Sequence, residues 1–162
     1  MFRLIVGNYE INKHYQVEEE VDLSKVVFAI DSRIKKIDEC HVIASFTRFE
    51  DAFDIALKVK GTLTAICSYT LEEFSFPYSF KERITAREDD AGDYQIHNNF
   101  IDLEGVVIAL IDSHVPLNVT KPGAKKPADG EGYRVLSEEE LKEERSKTRD
   151  PRWAALDDIE LD

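Results

Sequence analysis

The chain has 162 residues, 43% hydrophobic and 33% charged, which is enough for one domain with a buried core. Its 33 acidic residues outnumber its 21 basic residues, so the net charge is −12 and binding of nucleic acid by overall charge is disfavoured. No apolar run approaches the roughly 20 residues of a membrane span. No signal peptide is recognisable at the start. The two cysteines, Cys40 and Cys67, fit a reducing cytoplasm, and a single disulfide between them is the alternative.

The first forty residues predict short and mostly exposed elements. Residues 2–6 are apolar enough for a strand or one helical turn, and residues 15–23 predict an exposed extended strand. The three glutamates at 18–20 on that strand indicate a solvated acidic face rather than a metal site. Residues 25–30 fit either a strand or a short helix.

The middle of the chain predicts two consecutive β-hairpins. Apolar residues alternate with polar ones over 42–46 and again over 53–60, with a hairpin connection at 47–51. Gly61 predicts a bulge or bend within a long strand that ends at Cys67. The following strand carries an aromatic residue at every second position from Phe74 to Phe80, and Pro77 places it at a sheet edge or a bulge.

After a polar loop at 86–99, the apolar residues no longer alternate with polar ones and instead recur at the spacing of a helix. Asp102 predicts an N-cap, and residues 103–114 predict a helix that ends before Pro116. The apolar residues of this helix fall on one face, at i, i+3, i+4, i+7 and i+8: Leu103, Val106, Val107, Leu110 and Ile111.

The C-terminal quarter is polar and changes composition twice. Residues 120–136 are rich in Lys, Pro and Gly and predict a flexible loop. Ser137 and Glu140 form a capping-box pattern that opens a charged helix over about 138–148. Beyond it, Trp153, Leu156 and Ile159 recur every three residues, as in a short amphipathic docking segment.

These patterns predict the α+β fold class. We expect a strongly bent antiparallel meander, with closure toward a barrel left open, one packed helix and a helical C-terminal extension. The expected organisation is a core domain at 1–119, a flexible loop at 120–136, and a charged helix with a docking tail at 137–162.

No pattern of catalytic residues is present. The sequence holds no nucleophile elbow, zinc-protease helix motif, phosphate-binding loop or dinucleotide fingerprint, and its four histidines lie far apart. Cys67 stands without a CxxC pair, so we expect a small buried side chain rather than a zinc ligand. We therefore expect no enzyme activity, cofactor, metal or small-molecule substrate.

The stretch GTLTAICSYTLEEFSFPYSF at 61–80 resembles the signature of the YceD/YlbN-type family of large-subunit (23S) rRNA accumulation proteins. Family members carry G-x-L-x-x-x-C-x-R-x-L followed by a strand with an aromatic-Pro pair. The matching positions are Gly61, Leu63, Cys67, Leu71, Phe76 and Pro77. IDLEGVVIALIDSHVPL, DPRWAAL and EEEVDLSKV also resemble family segments, so the resemblance covers most of the chain.

The chain departs from the family pattern at two places. Tyr69 stands where members usually have Arg, and Thr70 stands where many have a second Cys. The downstream Cys pair of many members is replaced by the Lys-Pro-Gly loop. The chain thus resembles the Cys-poor variant of low-GC Gram-positive bacteria, and the resemblance supports no metal site.

The resemblance implies a cytoplasmic, non-enzymatic factor in rRNA accumulation or large-subunit assembly, with no catalytic residues to carry over. Because the chain is acidic, we expect it to bind a basic ribosomal protein or large-subunit assembly factor. The expected partner-binding residues are Cys67, Tyr69, Glu72, Trp153 and Leu156. The alternative is direct rRNA contact through Lys121, Lys125, Lys126 and Arg134.

Overall fold

A computed structural model of the chain describes residues 1–89 and 91–147. The chain divides into two compact units, Met1–Lys121 and Pro122–Asp162. The elements are β1 (Arg3–Ile5), a 3-10 turn (Val6–Asn8), β2 (His14–Glu20), β3 (Ile34–Arg48), β4 (Ala52–Ile66), β5 (Glu73–Arg87), β6 (Tyr94–Gln95), β7 (Phe100–Asp102), α1 (Leu103–His114) and α2 (Glu138–Lys147).

The first unit is built on a five-stranded sheet of order β2-β3-β4-β5-β6. The strands β2 to β5 form an antiparallel meander, as predicted, whereas β6 pairs with β5 in parallel through Ala86 and Arg87. The α+β class is confirmed. The barrel alternative is wrong, because β2 and β6 lie at opposite ends of an open sheet and do not pair with each other.

The long strands β3, β4 and β5 form because alternate residues are apolar and face one side of the sheet. The buried residues of β4 include Phe53, Ile55, Leu57, Val59 and Leu63. The aromatic residues of β5 also face this inner side, where Tyr78 is buried and Phe74, Phe76 and Phe80 pack partly buried against the core. Pro77 fits here because no strand pairs with the other side of β5 at that point.

Helix α1 matches its predicted bounds and supplies the other part of the core. The Asp102 carboxylate accepts a hydrogen bond from the Gly105 amide at 3.4 Å, which is the predicted N-cap. Leu103, Val106, Val107 and Ile111 belong to the same buried cluster as the inner side of the sheet. Strand β7 immediately precedes the helix in the chain and pairs with β1 in a separate two-stranded sheet.

One expectation in this unit is wrong, and so is one of the two alternatives for Gly61. Residues 25–30 form neither a strand nor a helix but a loop. Gly61 is not a bulge, since it pairs in register with Cys40 and Tyr78. The register shifts lie in the facing strand, β3, between Ile34 and Lys36 and between Ile37 and Glu39.

The second unit is described through residue 147 and contains α2. The capping box is confirmed, because the Glu140 amide donates to Ser137 Oγ at 3.1 Å and the Ser137 amide donates to Glu140 Oε2 at 2.8 Å. Lys126 Nζ also donates a hydrogen bond to the Glu140 carboxylate, at 2.6 Å. None of the helices in the described ranges is long and apolar enough to cross a membrane.

Candidate functional site

The β4–β5 connection, residues 67–72, is a closed turn and carries the family signature. The Cys67 amide donates to the Glu72 carbonyl at 2.9 Å, and the Leu71 amide donates to the Cys67 carbonyl at 2.9 Å. Leu71 adopts a left-handed backbone conformation with φ of 59°. This conformation is uncommon for residues other than glycine, so the two hydrogen bonds hold the chain in a strained turn.

The Cys67 thiol lies inside this turn without contact with solvent. Burial raises its pKa, but hydrogen bonds from the Thr70 hydroxyl and from the Lys121, Thr70 and Tyr69 amides outweigh burial and lower the pKa to about 7. The Lys121 amide lies 3.4 Å from Sγ. The thiol therefore ties the turn to the segment after α1 and is not accessible at the surface.

The rim of this turn brings together a residue expected to contact a protein partner and a residue expected to contact RNA. Glu72, an expected protein contact, pairs with Lys121, an expected RNA contact, at 3.3 Å. The Ser68 amide donates to the Val119 carbonyl at 2.8 Å, which also fastens the turn to the segment after α1. Tyr69 is half-buried, and Leu71 is 75% exposed. The turn is thus a structural junction with one exposed apolar side chain.

The other predicted site residues are distributed over the second unit. Lys126 pairs with Glu140 at 2.6 Å and Arg134 pairs with Glu144 at 2.7 Å. Together with the Lys121–Glu72 pair, these contacts neutralise three of the four predicted RNA-contacting cations. Lys125 is exposed. The predicted contacts Trp153 and Leu156 lie outside the described residues.

The outward side of the five-stranded sheet carries an acidic edge. Register places Glu18 of β2 opposite Ile43 of β3, and Glu20 opposite His41. The His41 Nε2 atom lies 2.7 Å from Glu18 and 4.0 Å from Glu20. Strand β2 pairs with β3 alone within the described ranges, so its other edge presents unpaired backbone groups. Glu18 and Glu20 flank this edge on the outward side, and Glu19, opposite the buried Val42, is exposed on the inner side.

The same side of β4 and β5 is basic, which the sequence reasoning did not detect. Lys58 of β4 lies directly opposite Lys81 of β5, and Lys60 and Arg83 flank this pair. All four side chains are exposed. The sequence did contain a signal for this surface. In β4, the polar residues that alternate with core residues include Lys58 and Lys60 at successive outward positions.

The histidine and cysteine side chains of the described ranges are spread over the fold and are not grouped for metal binding. No group of three or more His, Cys, Asp or Glu side chains in residues 1–89 and 91–147 is placed to hold a metal ion. His114 stacks on Phe80 with ring centroids 4.2 Å apart and contacts Glu82 at 3.0 Å, which fixes the end of α1 on β5. Both described cysteines are free thiols, so no disulfide joins Cys40 to Cys67.

Comparison with known proteins gives one result. The model of the family described as large ribosomal RNA subunit accumulation protein YceD matches residues 55–160, which is more than half of the chain. The match begins in β4 and includes the Cys67 turn, β5 and both helices. No curated protein and no solved structure shows a significant match to the chain. The expectation from the signature is confirmed, and the chain belongs to the YceD family of large ribosomal RNA subunit accumulation proteins.

Proposed function

We propose that this protein supports large-subunit rRNA accumulation without catalysis, by holding a basic ribosomal or assembly protein on the acidic edge formed by Glu18, Glu19 and Glu20. Its family links it to accumulation of large ribosomal subunit RNA. The site of action in this proposal is the cytoplasm, where large subunits are assembled.

The open edge of β2 is the observation that carries the proposal. An unpaired sheet edge accepts an added strand, and its main-chain hydrogen bonds supply affinity that depends little on the partner's sequence. The glutamates at this edge select basic partners and repel acidic ones, because complementary charge raises the rate of encounter and like charge is costly. Glu20 keeps 76% of its side chain exposed despite its contact with His41, so the acidic groups remain available to a partner.

Such binding would benefit assembly in a simple way. Free basic ribosomal proteins attach to RNA without regard to sequence, since phosphate neutralisation supplies most of that affinity. A chain with net charge −12 competes with phosphate for the same lysine and arginine side chains. It would therefore release its cargo where specific rRNA contacts outweigh the screened acidic ones.

RNA contact by the loop cations is the less favoured alternative. Lys121, Lys126 and Arg134 each have a carboxylate within 3.3 Å. An RNA phosphate would have to displace these carboxylates, which reduces the gain from each contact. Lys125 alone gives too little charge for a stable complex with a polyanion.

The proposal is tested with the triple substitution Glu18→Gln, Glu19→Gln and Glu20→Gln in the full chain. We expect the purified variant to lose at least about tenfold in affinity for basic large-subunit ribosomal proteins at low salt, measured by titration calorimetry without RNA, because a close charge pair contributes about 1.5 kcal/mol or more. Salt should weaken the wild-type complex more than the variant complex.

The matched control changes three exposed glutamates elsewhere, Glu50→Gln, Glu73→Gln and Glu88→Gln. It alters the net charge by the same amount but leaves β2 intact. Equal loss in both triple variants would show that only net charge matters. Failure of the wild-type protein to bind any basic ribosomal or assembly protein would also disprove the proposal.

A further inference from the structure

A cluster of cations lies on the outward side of β4 and β5. Antiparallel register places Lys58 opposite Lys81, Lys60 opposite Ser79 and Ala56 opposite Arg83. Residues directly opposite each other on one side of a sheet have Cβ atoms about 5 Å apart, and alternate residues along a strand are about 7 Å apart. The four cationic side chains therefore project from one small area, which we call the lysine face.

The charge of the lysine face is largely uncompensated within the described part of the chain. Arg83 forms a bidentate pair with Asp54, at 2.9 and 2.6 Å. By contrast, no carboxylate of residues 1–89 and 91–147 lies within 4.0 Å of the ammonium groups of Lys58, Lys60 or Lys81. Like charges directly opposite each other in a sheet are destabilising. In a chain with 33 acidic residues, this arrangement is explained more readily by an external anion than by internal pairing.

The shape of the face fits an extended polyanion better than a compact ligand. A shallow groove of about 240 Å³ runs over it between His41 and Ile43 of β3 and the three lysines. The outward positions of β3, β4 and β5 beside the lysines hold Ile43, Ser45, Ala56 and Ser79, together with His41, whose ring is held by Glu18 at 2.7 Å. Phe80 also lines the groove, but it belongs to the inner side of the sheet and its ring stacks on His114. Contacts therefore fall mainly on the phosphates and carry little sequence preference.

The acidic edge gives the lysine face a boundary. Glu18 and Glu20 lie in the same cross-strand rows as Lys58 and Lys60, with Ile43 and His41 of β3 between them. Two strand spacings separate these charges by about 10 Å, close to the screening length at physiological salt. An RNA strand is repelled at β2 and attracted at β4 and β5, which confines it to one half of the sheet.

We infer that the lysine face binds the phosphate backbone of large-subunit rRNA, on a surface separate from the acidic edge. The family description concerns accumulation of large ribosomal subunit RNA, and RNA phosphates complement three ammonium groups that have no carboxylate partner in the described part of the chain. The protein thereby holds a basic protein and the rRNA on two halves of one sheet, which places both components of the large subunit next to each other.

The test compares binding of in vitro transcribed large-subunit rRNA fragments by the full-length protein and three variants. The first variant is Lys58→Gln, Lys60→Gln and Lys81→Gln. The matched control is Lys13→Gln, Lys25→Gln and Lys142→Gln, which removes the same charge elsewhere. A third variant, Lys121→Gln, Lys125→Gln and Lys126→Gln, tests the loop alternative with the same probe.

We expect wild-type affinity to fall roughly 20- to 40-fold between about 50 and 200 mM salt, as displacement of counterions from about three phosphates requires. The lysine-face variant should bind at least tenfold more weakly at the lower salt and lose most of this salt dependence, while the control stays within twofold of wild type. The melting temperature of the lysine-face variant should not fall below that of the wild type, because removal of like charges relieves repulsion.

Three outcomes would overturn the inference. One is equal RNA binding by the wild-type protein and the lysine-face variant, and another is loss confined to the loop variant. The third is binding of an acidic polypeptide such as polyglutamate, but not RNA, by the lysine face. Because the assay contains no ribosomal protein, its failure leaves the protein-binding proposal to its own calorimetric test.

Discussion

The Cys67 thiol receives hydrogen bonds from three backbone amides and the Thr70 hydroxyl, although it lies out of contact with solvent. Desolvation favours the neutral thiol, whereas the donors favour the thiolate, and the donors prevail. The amide of Lys121 comes from the segment after α1. The ionisation of one side chain thus reports whether two distant parts of the chain are correctly joined.

We predict that Cys67 titrates with a midpoint near pH 7 in the folded protein, below the usual thiol pKa of about 8.5. Because its folded pKa is depressed, the thiolate stabilises the fold above the unfolded pKa, and this contribution is lost as pH falls through 7. Thiolate ultraviolet absorbance should show the step in wild type and in Cys40→Ala but not in Cys67→Ala, since burial raises the pKa of Cys40. An unchanged step in Cys67→Ala would contradict the assignment.

The long strands β3 and β4 approach each other closely where β3 changes register. A Cβ atom added at Gly61 would lie 1.9 Å from the Glu39 carbonyl oxygen and 2.7 Å from the Tyr78 hydroxyl. The same hydroxyl donates to that carbonyl at 2.9 Å. Glycine is required here because the facing backbone bulges toward it, and the strand itself stays regular.

We predict that Gly61→Ala lowers the free energy of unfolding by about 1–3 kcal/mol or more, because the clash is with backbone that cannot rotate away. Gly7→Ala is the matched control, since its added Cβ would meet nothing nearer than the Asn99 side chain at 3.7 Å. It should change stability by no more than about 0.5 kcal/mol. Urea denaturation followed by circular dichroism measures both, and equal stability of the two variants would refute the packing argument.

At the scale of the whole molecule, charge is sorted rather than mixed. Acidic side chains line the β2 edge, cations occupy the lysine face, and the cations of the second unit pair with α2 carboxylates. The net charge of −12 therefore describes the average surface and conceals a local positive area. The two proposed binding surfaces rest on this sorting of charge.

We predict that depletion of the protein from its cell lowers the large-subunit peak in sucrose gradients and the level of large-subunit rRNA. Re-expression of wild type and of both matched control variants should restore the peak. The acidic-edge and lysine-face variants should each restore it incompletely, since each lacks one of two attachments. A normal large-subunit peak after depletion would disprove the proposed function. It would also disprove the inferred rRNA binding by the lysine face, which rests on the same family assignment.

Local patterns predicted a large part of the fold. The bounds of α1, the capping box of α2 and the two hairpins follow from spacings within a few residues, which depend little on distant parts of the chain. The loop at 25–30 and the parallel strand β6 were not predicted, and the sequence left open whether the sheet closes into a barrel. These features depend on which strands meet in space, and short apolar runs are compatible with several answers.

The candidate site was predictable only in part, for the same physical reason. The signature identified the Cys67 turn and the family, because both are contiguous in sequence. The pairing of Lys121 with Glu72 and the grouping of Lys58, Lys60 and Lys81 depend on register between strands and on the path of the chain after α1.

The sequence by itself determined the family, the acidic character, the meander of long strands and the helix at 103–114, since each rests on composition or short-range periodicity. Tertiary structure decided which charges are neutralised and which stay free. A carboxylate 49 positions away in sequence neutralises Lys121, while cross-strand register sets Lys58 against Lys81 with no carboxylate beside them in the described ranges. Coulomb interactions depend on distance in space, which only the folded chain defines.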